Sequence, residues 1–406
     1  MSREGTFPLL LVCFFLSGLA ALVYETAWTR EFAAVFGTSN LAVATVLAAY
    51  MGGLAAGAAV AGRLSSRIRR PVLLYGVLEL GIALSALAIP LAIQGSRVLY
   101  VSLFGGSQGI VGAGGAPTAL FYLVCSFLIL LVPTSMMGAT LPLLARHAVR
   151  SEEEIGRRIA VLYAVNTAGA VAGTLLAAFV LVPSLGLRLT IWAAAGINAL
   201  VFLTAWLLAR RAPPLTPEPP GAGAAIRGLH PILLLILVSG AVSFSYEILW
   251  SRLLAHVVGS SMYAFATMLG SFLMGIALGS AAAARFATGP QRAAQGFAVA
   301  QLGIALLSLA AYAGVEGIPE LARLLEGSGV PDRVIHAVAG MLTLFPAALF
   351  IGATFPFAVR VLATGARDAA PATARIYTAN TLGSIVGSLA AGFLLVPALG
   401  YGGTLA

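Results

Sequence analysis

Ser17-Gly18-Leu19-Ala20-Ala21-Leu22-Val23-Tyr24-Glu25-Thr26-Ala27-Trp28-Thr29-Arg30 returns 222 residues later as Ser239-Gly240-Ala241-Val242-Ser243-Phe244-Ser245-Tyr246-Glu247-Ile248-Leu249-Trp250-Ser251-Arg252. Ser-Gly, Tyr-Glu, Trp and Arg keep their places. The same offset carries Gly53 onto Gly275, Gly57 onto Gly279, Arg63 onto Arg285 and Leu80-Gly81 onto Leu302-Gly303. Further along the offset becomes 214. There Gly138-Ala139-Thr140-Leu141-Pro142 matches Gly352-Ala353-Thr354-Phe355-Pro356, and Tyr163, Asn166-Thr167 and Gly169 match Tyr377, Asn380-Thr381 and Gly383. Solenoid repeats run at about 20–50 residues. A period this long is a duplicated half.

The solvent of this bundle is lipid. Of the 406 residues 60% are hydrophobic and 9% charged, with a mean hydropathy of +0.99, against about 25% charge in soluble domains. Apolar runs of the roughly 20 residues needed to cross a bilayer lie near 7–29, 40–62, 71–93, 118–143, 159–182 and 187–209, then near 231–251, 262–284, 293–314, 337–360 and 373–397. The expected fold is an all-α polytopic membrane protein, a transporter-like bundle of two homologous six-helix halves with about 11 transmembrane helices. Residues 1–211 form the first repeat, 212–230 a Pro/Gly linker and 231–406 the second repeat. Pro397, Gly400 and Thr404 match Pro183, Gly186 and Thr190, which a sixth helix follows in the first half. A twelfth helix, and with it more chain, is therefore expected after residue 406. The stretches near 94–117 and 315–336 read as the longest loops of the two halves.

Arg3 before an apolar run resembles a cleaved leader, but the twin of that run at 231–251 is internal, which argues for a membrane span. All 23 basic residues are arginine, and the net charge is +9. Seventeen of them fall on the side of the N-terminus and the linker, which the positive-inside rule places in the cytoplasm. The expected location is thus an integral membrane protein, in bacteria the inner membrane. The basic residues are bilayer-orientation signals, not a nucleic-acid face. Cys13 and Cys125 offer neither a disulfide framework nor metal spacing, and His147, His230, His256 and His336 show no ligand spacing. The glycines at 105–106 and 114–115 follow no strand, so they are no dinucleotide loop.

Three sets of residues carry a resemblance. Ser-Gly-x5-Tyr-Glu-x2-Trp-x-Arg, Met137-Gly138-Ala139-Thr140-Leu141-Pro142 and Tyr163-x2-Asn166-Thr167-x-Gly169 together resemble the membrane region of the fused transporter-like/spermidine synthase family, the membrane-bound polyamine aminopropyltransferases. Gly57-x5-Arg63 with Arg69-Arg70 also resembles the basic loop between helices 2 and 3 of major facilitator transporters, without its acidic residue. The first resemblance implies that a cytoplasmic synthase domain follows in cis. That domain would use decarboxylated S-adenosylmethionine as co-substrate, and this chain would anchor it and bind or move putrescine or spermidine. No catalytic residue, cofactor or metal is assigned to the 406 residues themselves. Two other readings stand beside it: a free-standing secondary transporter of a small organic cation, and a structural anchor. Fold does not decide among them.

Carboxylates inside spans are functional candidates, because a charge there costs several kcal/mol. Glu25 and Glu247 are repeat equivalents, flanked by Tyr24 and Trp28 and by Tyr246 and Trp250. Carboxylate plus aromatic face suits an organic cation, and two carboxylates suit the two ends of a diamine. The opposing reading places Glu25 near the outer edge of the bilayer, paired with Arg30 among interfacial aromatic anchors. Glu79 lies deeper, and its repeat partner is Gln301, so it is either a proton or substrate group or an interhelical hydrogen-bonding one. Asn166 and Asn380 read as structural hydrogen-bonding groups. Gly53-x3-Gly57, Gly169-x3-Gly173, Gly275-x3-Gly279 and Gly383-x3-Gly387 read as close helix contacts.

Overall fold

The structure is a computed structural model that describes residues 3–36, 40–104, 115–211, 214–215, 230–258, 262–314 and 332–405. The apolar runs form helices, because in hydrocarbon every backbone N–H and C=O must be paired within its own segment. The first half contains α1 (Arg3–Phe36), α2 (Asn40–Leu64), α3 (Pro71–Phe104), α4 (Gly115–Ala148), α5 (Glu154–Leu176) and α6 (Val182–Arg211). The second contains α7 (Pro231–Val258), α8 (Met262–Ala283), α9 (Pro290–Ala313), α10 (Asp332–Leu362), α11 (Ala369–Ala390) and the short α12 (Val396–Leu405). Proline opens α3, α7 and α9, where its missing N–H would have no helical partner in any case. Nine stretches among the described residues are long and apolar enough to cross a membrane.

The repeat extends to backbone detail. A π-turn at Ala177–Leu181 joins α5 to α6, and its twin at Ala391–Leu395 joins α11 to α12. Gly186 and Gly400 then take φ of +73° and +67°, a left-handed conformation open to glycine at little cost. Two expectations change. Residues 94–104 are helix, because apolar Leu99, Val101 and Leu103 carry α3 outward past Pro90, and 105–114 lie outside the described residues. Of the second expected loop, 332–336 is the start of α10 and 315–331 lies outside the described residues. The linker at 212–230 is also largely outside them, though the Leu215 N–H donates to the Arg69 carbonyl at 2.7 Å.

Glycines bring the helices together. A Cβ on Gly57 would strike the Ser135 carbonyl, and one on Gly138 the Leu54 carbonyl, so α2 and α4 touch backbone to backbone. Gly279 on Leu349 and Gly352 on Ile276 reproduce this between α8 and α10. Gly169 and Gly173 seat α5 on Phe15 and Leu19 of α1, as Gly383 and Gly387 seat α11 on Leu237 and Ala241 of α7. The halves then meet reciprocally, α5 on α8 and α11 on α2. Ser280 Oγ donates to the Ala160 carbonyl at 3.0 Å, and Thr378 Oγ1 to the Ala55 carbonyl at 3.3 Å.

The core differs between the two ends of the bundle. At the arginine-rich end one cluster joins both halves, from Leu10, Leu144 and Ile159 to Phe297, Val359 and Ile376. Across this end Arg360, 3% exposed, donates to Glu152 Oε1 at 2.9 Å. Arg146, its repeat twin, instead binds the Ile68 and Ser66 carbonyls at 3.2 and 3.3 Å. At the other end the described buried side chains form a cluster around Tyr24, Trp28 and Tyr50, against which Tyr377 of the second half packs, and two small clusters around Trp250 and Phe272. Among the described residues the arginine-rich end is packed as one piece across both halves.

Two outcomes follow from this packing. Gly57→Val should destabilise the protein by at least about 2 kcal/mol, while Gly95→Ala, with nothing near its Cβ, should leave thermal unfolding in detergent unchanged or slightly raised. Arg360→Gln should loosen the arginine-rich end. A cysteine introduced as Ser280→Cys should then react faster with a soluble thiol reagent than in the Arg360 parent, and an equal rate would show that the ion pair does not hold that end.

Candidate functional site

A cavity of about 80 Å³ is lined by Glu25, Trp28, Thr29, Val46, Leu47, Tyr50, Leu130, Glu247, Ile248 and Phe265. At roughly 10–15 Å³ per water position, it holds about five to eight water-sized positions.

The two repeat-equivalent carboxylates therefore share one chamber, Glu25 from α1 and Glu247 from α7. The glycine contacts put them there, since α5 fixes α1 and α11 fixes α7 from equivalent sides. Among the described residues neither carboxylate forms an ion pair, so the expected local pair between Glu25 and Arg30 is not made. Nor does Glu25 lie at a helix end: α1 continues to Phe36, about 16 Å further at 1.5 Å per residue. The apolar run near 7–29 thus ends inside this helix.

The aromatic neighbours divide. Trp28 lines the cavity and is 1% exposed, with no partner for its indole N–H among the described residues. Tyr24 is not among the lining residues; it stacks on Trp28 at 5.0 Å and 9°, and its hydroxyl too has no partner among the described residues. Trp250, 3% exposed, packs with Met268, Ala311 and Leu344, and Tyr246 packs against that cluster and the one around Phe272. Trp28 and Trp250 are thus interhelical, whereas interfacial anchors would face the headgroups, as the exposed Trp192 does.

Glu79 belongs to a different environment. It is completely buried and accepts from Ser17 Oγ at 2.5 Å and from Asn198 Nδ2 at 2.6 Å, tying α3 to α1 and α6. It is not among the cavity residues. Gln301 is half-buried on α9. Asn166 Nδ2 donates to the Phe14 carbonyl at 3.1 Å, and its own backbone carbonyl packs on Gly18. Asn380 packs on Gly240 in the same way. These asparagines hold α5 to α1 and α11 to α7.

Sequence reasoning did not single out Tyr50 or Phe355. Tyr50 lines the cavity beside Trp28, at 6.5 Å between ring centroids. Phe355 stacks on Tyr163 at 4.4 Å and meets Tyr377 edge-on at 6.1 Å. The repeat-equivalent tyrosines thus converge on one ring between the halves. Each tyrosine packs against the opposite half as well: Tyr377 against the Trp28 cluster and Tyr163 against the Phe272 cluster. Their shared offset was the available signal; Tyr50 had none, since its twin is Phe272. Among the described residues no three His, Cys, Asp or Glu side chains converge as metal ligands.

Comparison with known proteins places this geometry. The structure resembles FucP, a Major Facilitator Superfamily transporter in the outward conformation, at a TM-score of 0.64 and 15% identity over 100% of this chain and 95% of that one. It also resembles a bacterial homologue of the iron transporter ferroportin in an outward-facing state with soaked iron (TM-score 0.57, 14% identity, 98% and 93% covered). A third neighbour is the human organic anion transporter MFSD10 (TETRAN) (TM-score 0.55, 15% identity, 97% and 95% covered). At such identities they are alike in fold alone. No curated protein matches the chain in sequence. The family model that matches, over residues 10–325, describes the Major Facilitator Superfamily. This agrees with the transporter expectation and brings nothing to the synthase-linked one. The chain belongs to the Major Facilitator Superfamily.

Proposed function

We propose that this chain is a secondary transporter that carries a small organic cation through the cavity between its halves. One observation carries the reading: Glu25 and Glu247, with no ion pair among the described residues, line the same small chamber with the aromatic wall of Trp28 and Tyr50. An uncompensated carboxylate in an apolar bundle is costly, and two repelling carboxylates in one cavity more so. A cation relieves both costs, by Coulomb attraction and by contact with the ring faces. Transport requires the two ends to open in turn, by rocking of one half against the other around the site.

The polyamines named by the motif resemblance are the first substrates to try, because a diamine neutralises both glutamates. The synthase-linked role, with the chain supplying such cations to a catalytic domain, is the narrower reading and rests on that resemblance alone. The arginine-rich end is assigned to the cytoplasm by its charge.

The test is uptake of labelled putrescine by the purified chain in proteoliposomes. The intact protein should give saturable uptake, and Glu25→Gln and Glu247→Gln should each lower it at least about tenfold, the loss of one charge-assisted contact, with unchanged thermal unfolding. Absence of uptake and of putrescine binding by the intact protein, or full uptake in both variants, would overturn the cation assignment.

A further inference from the structure

Four exposed arginines far apart in sequence lie together at the arginine-rich end. Arg69-Arg70 precede α3, and Arg210-Arg211 end α6. A Cβ on Gly76 of α3 would meet the Ala205 Cβ at 3.0 Å and the Phe202 carbonyl oxygen at 3.3 Å, and further along α3 Glu79 accepts from Asn198. Rising numbers on α3 meet falling numbers on α6, so the two helices are antiparallel. Arg70 is six residues before Gly76 and Arg211 six after Ala205. Each is therefore about 9 Å along its helix, at 1.5 Å per residue, and toward the same end. The Leu215 N–H, donating to the Arg69 carbonyl at 2.7 Å, brings the chain after α6 back to this corner. The apolar spans begin at Pro71 and end at Arg211, which sets both arginine pairs at the depth of the lipid headgroups.

On each helix an arginine continues an apolar stripe. The Leu74 N–H donates to the Arg70 carbonyl at 3.0 Å, so Arg70 already follows the helical path. Arg70, Val77 and Leu84 are then spaced by seven residues, or about two turns, and share one face of α3. Leu203 and Arg210 have the same spacing on α6, with Leu207 between them. All six are exposed. The Arg210 guanidinium lies over the Trp206 ring at 3.5 Å. Stacking uses the flat face of the guanidinium and leaves its N–H donors at the edge. Charge-set orientation in the membrane explains arginines at this end, but it does not require arginine and aliphatic side chains in line on two adjoining helices. Nor does the repeat require them: Gln291 stands where the first half has Arg69, and Arg292, the twin of Arg70, donates to Thr288 Oγ1 at 3.4 Å. A soluble anion has use for the arginines alone. An anionic head with hydrocarbon tails matches the arginines and the stripes together.

We propose that the seam between α3 and α6 at the arginine-rich end is a binding site for an anionic phospholipid. Arg69, Arg70, Arg210 and Arg211 take the phosphate, and the acyl chains run along Val77, Leu203 and Leu207. Surface charge draws the lipid in, and guanidinium–phosphate hydrogen bonds fix its head. The site is separate from the cavity that holds Glu25 and Glu247, so it stands whether or not that cavity carries a cation.

Native mass spectrometry of the delipidated protein tests this with dioleoyl phosphatidylglycerol, dioleoyl phosphatidylcholine and glycerol 3-phosphate. The intact protein should retain phosphatidylglycerol at least about fivefold more tightly than phosphatidylcholine, the share of one arginine at a membrane surface. Arg70→Gln with Arg210→Gln should abolish that preference. Arg69→Gln with Arg211→Gln, which leaves the Trp206 contact in place, should lower it in the same direction. Arg292→Gln, which removes the same charge from the second half, should leave it intact. Thermal unfolding in detergent alone should be the same for all of these proteins. Equal retention of the two lipids by the intact protein, a preference unmoved by both glutamine pairs, or an equal loss in Arg292→Gln overturns the site. Displacement of phosphatidylglycerol by an equimolar amount of glycerol 3-phosphate would identify a soluble-anion site and overturn the lipid assignment.

Discussion

In lipid, apolar surface gains nothing by turning inward, so the bundle depends on how closely helix backbones can approach. The contacts that achieve this are glycine against carbonyl: Gly57 on Ser135, Gly138 on Leu54, Gly169 on Phe15 and Gly173 on Leu19, each with its twin in the other half. Dispersion falls steeply with distance, and a single methyl at these points forces the helices apart. The contacts also orient the helices. With α1 clamped to α5 and α7 to α11, the faces that carry Glu25 and Glu247 have only the space between the halves to look into.

Against this frame the three intramembrane glutamates separate by their partners. Glu79 is enclosed and bonded to Ser17 and Asn198, side chains on two other helices, the pattern of a group that joins helices. Glu25 and Glu247 have no ion pair among the described residues and are open to a cavity. The same residue type costs free energy in both settings, but only in the second is the cost left for something from outside to offset. At the arginine-rich end one core and the Arg360–Glu152 pair join the halves, and none of those residues lines the cavity.

Much of this was legible in the repeat. Two homologous halves, the spans, the glycine contacts and the pairing of Glu25 with Glu247 all rest on identities between the halves. Helix ends were not legible. The apolar runs near 7–29 and 71–93 stop short of Phe36 and Phe104, where α1 and α3 end, because a helix continues while its backbone stays paired and not only while its side chains are apolar. Motif resemblance pointed to a synthase-linked membrane region, whereas the family match is to the broader transporter superfamily. Short motifs at helix contacts report packing shared by many transporters, and packing does not name a substrate.

What the repeat concealed is where the halves differ. Identity between twins marks positions that both halves need for assembly: Gly57 and Gly279, Asn166 and Asn380, Tyr163 and Tyr377 all sit at helix contacts. A ligand passing along an axis of approximate two-fold symmetry has no such symmetry of its own unless its two ends are alike. The lining is therefore free to diverge where the scaffold is not, and Tyr50 against Phe272 is such a divergence. Among the described lining residues Glu25 and Glu247 are the twins that both face the cavity. In the cation reading their charge is what both halves contribute to the ligand, while the scaffold around it is set by packing.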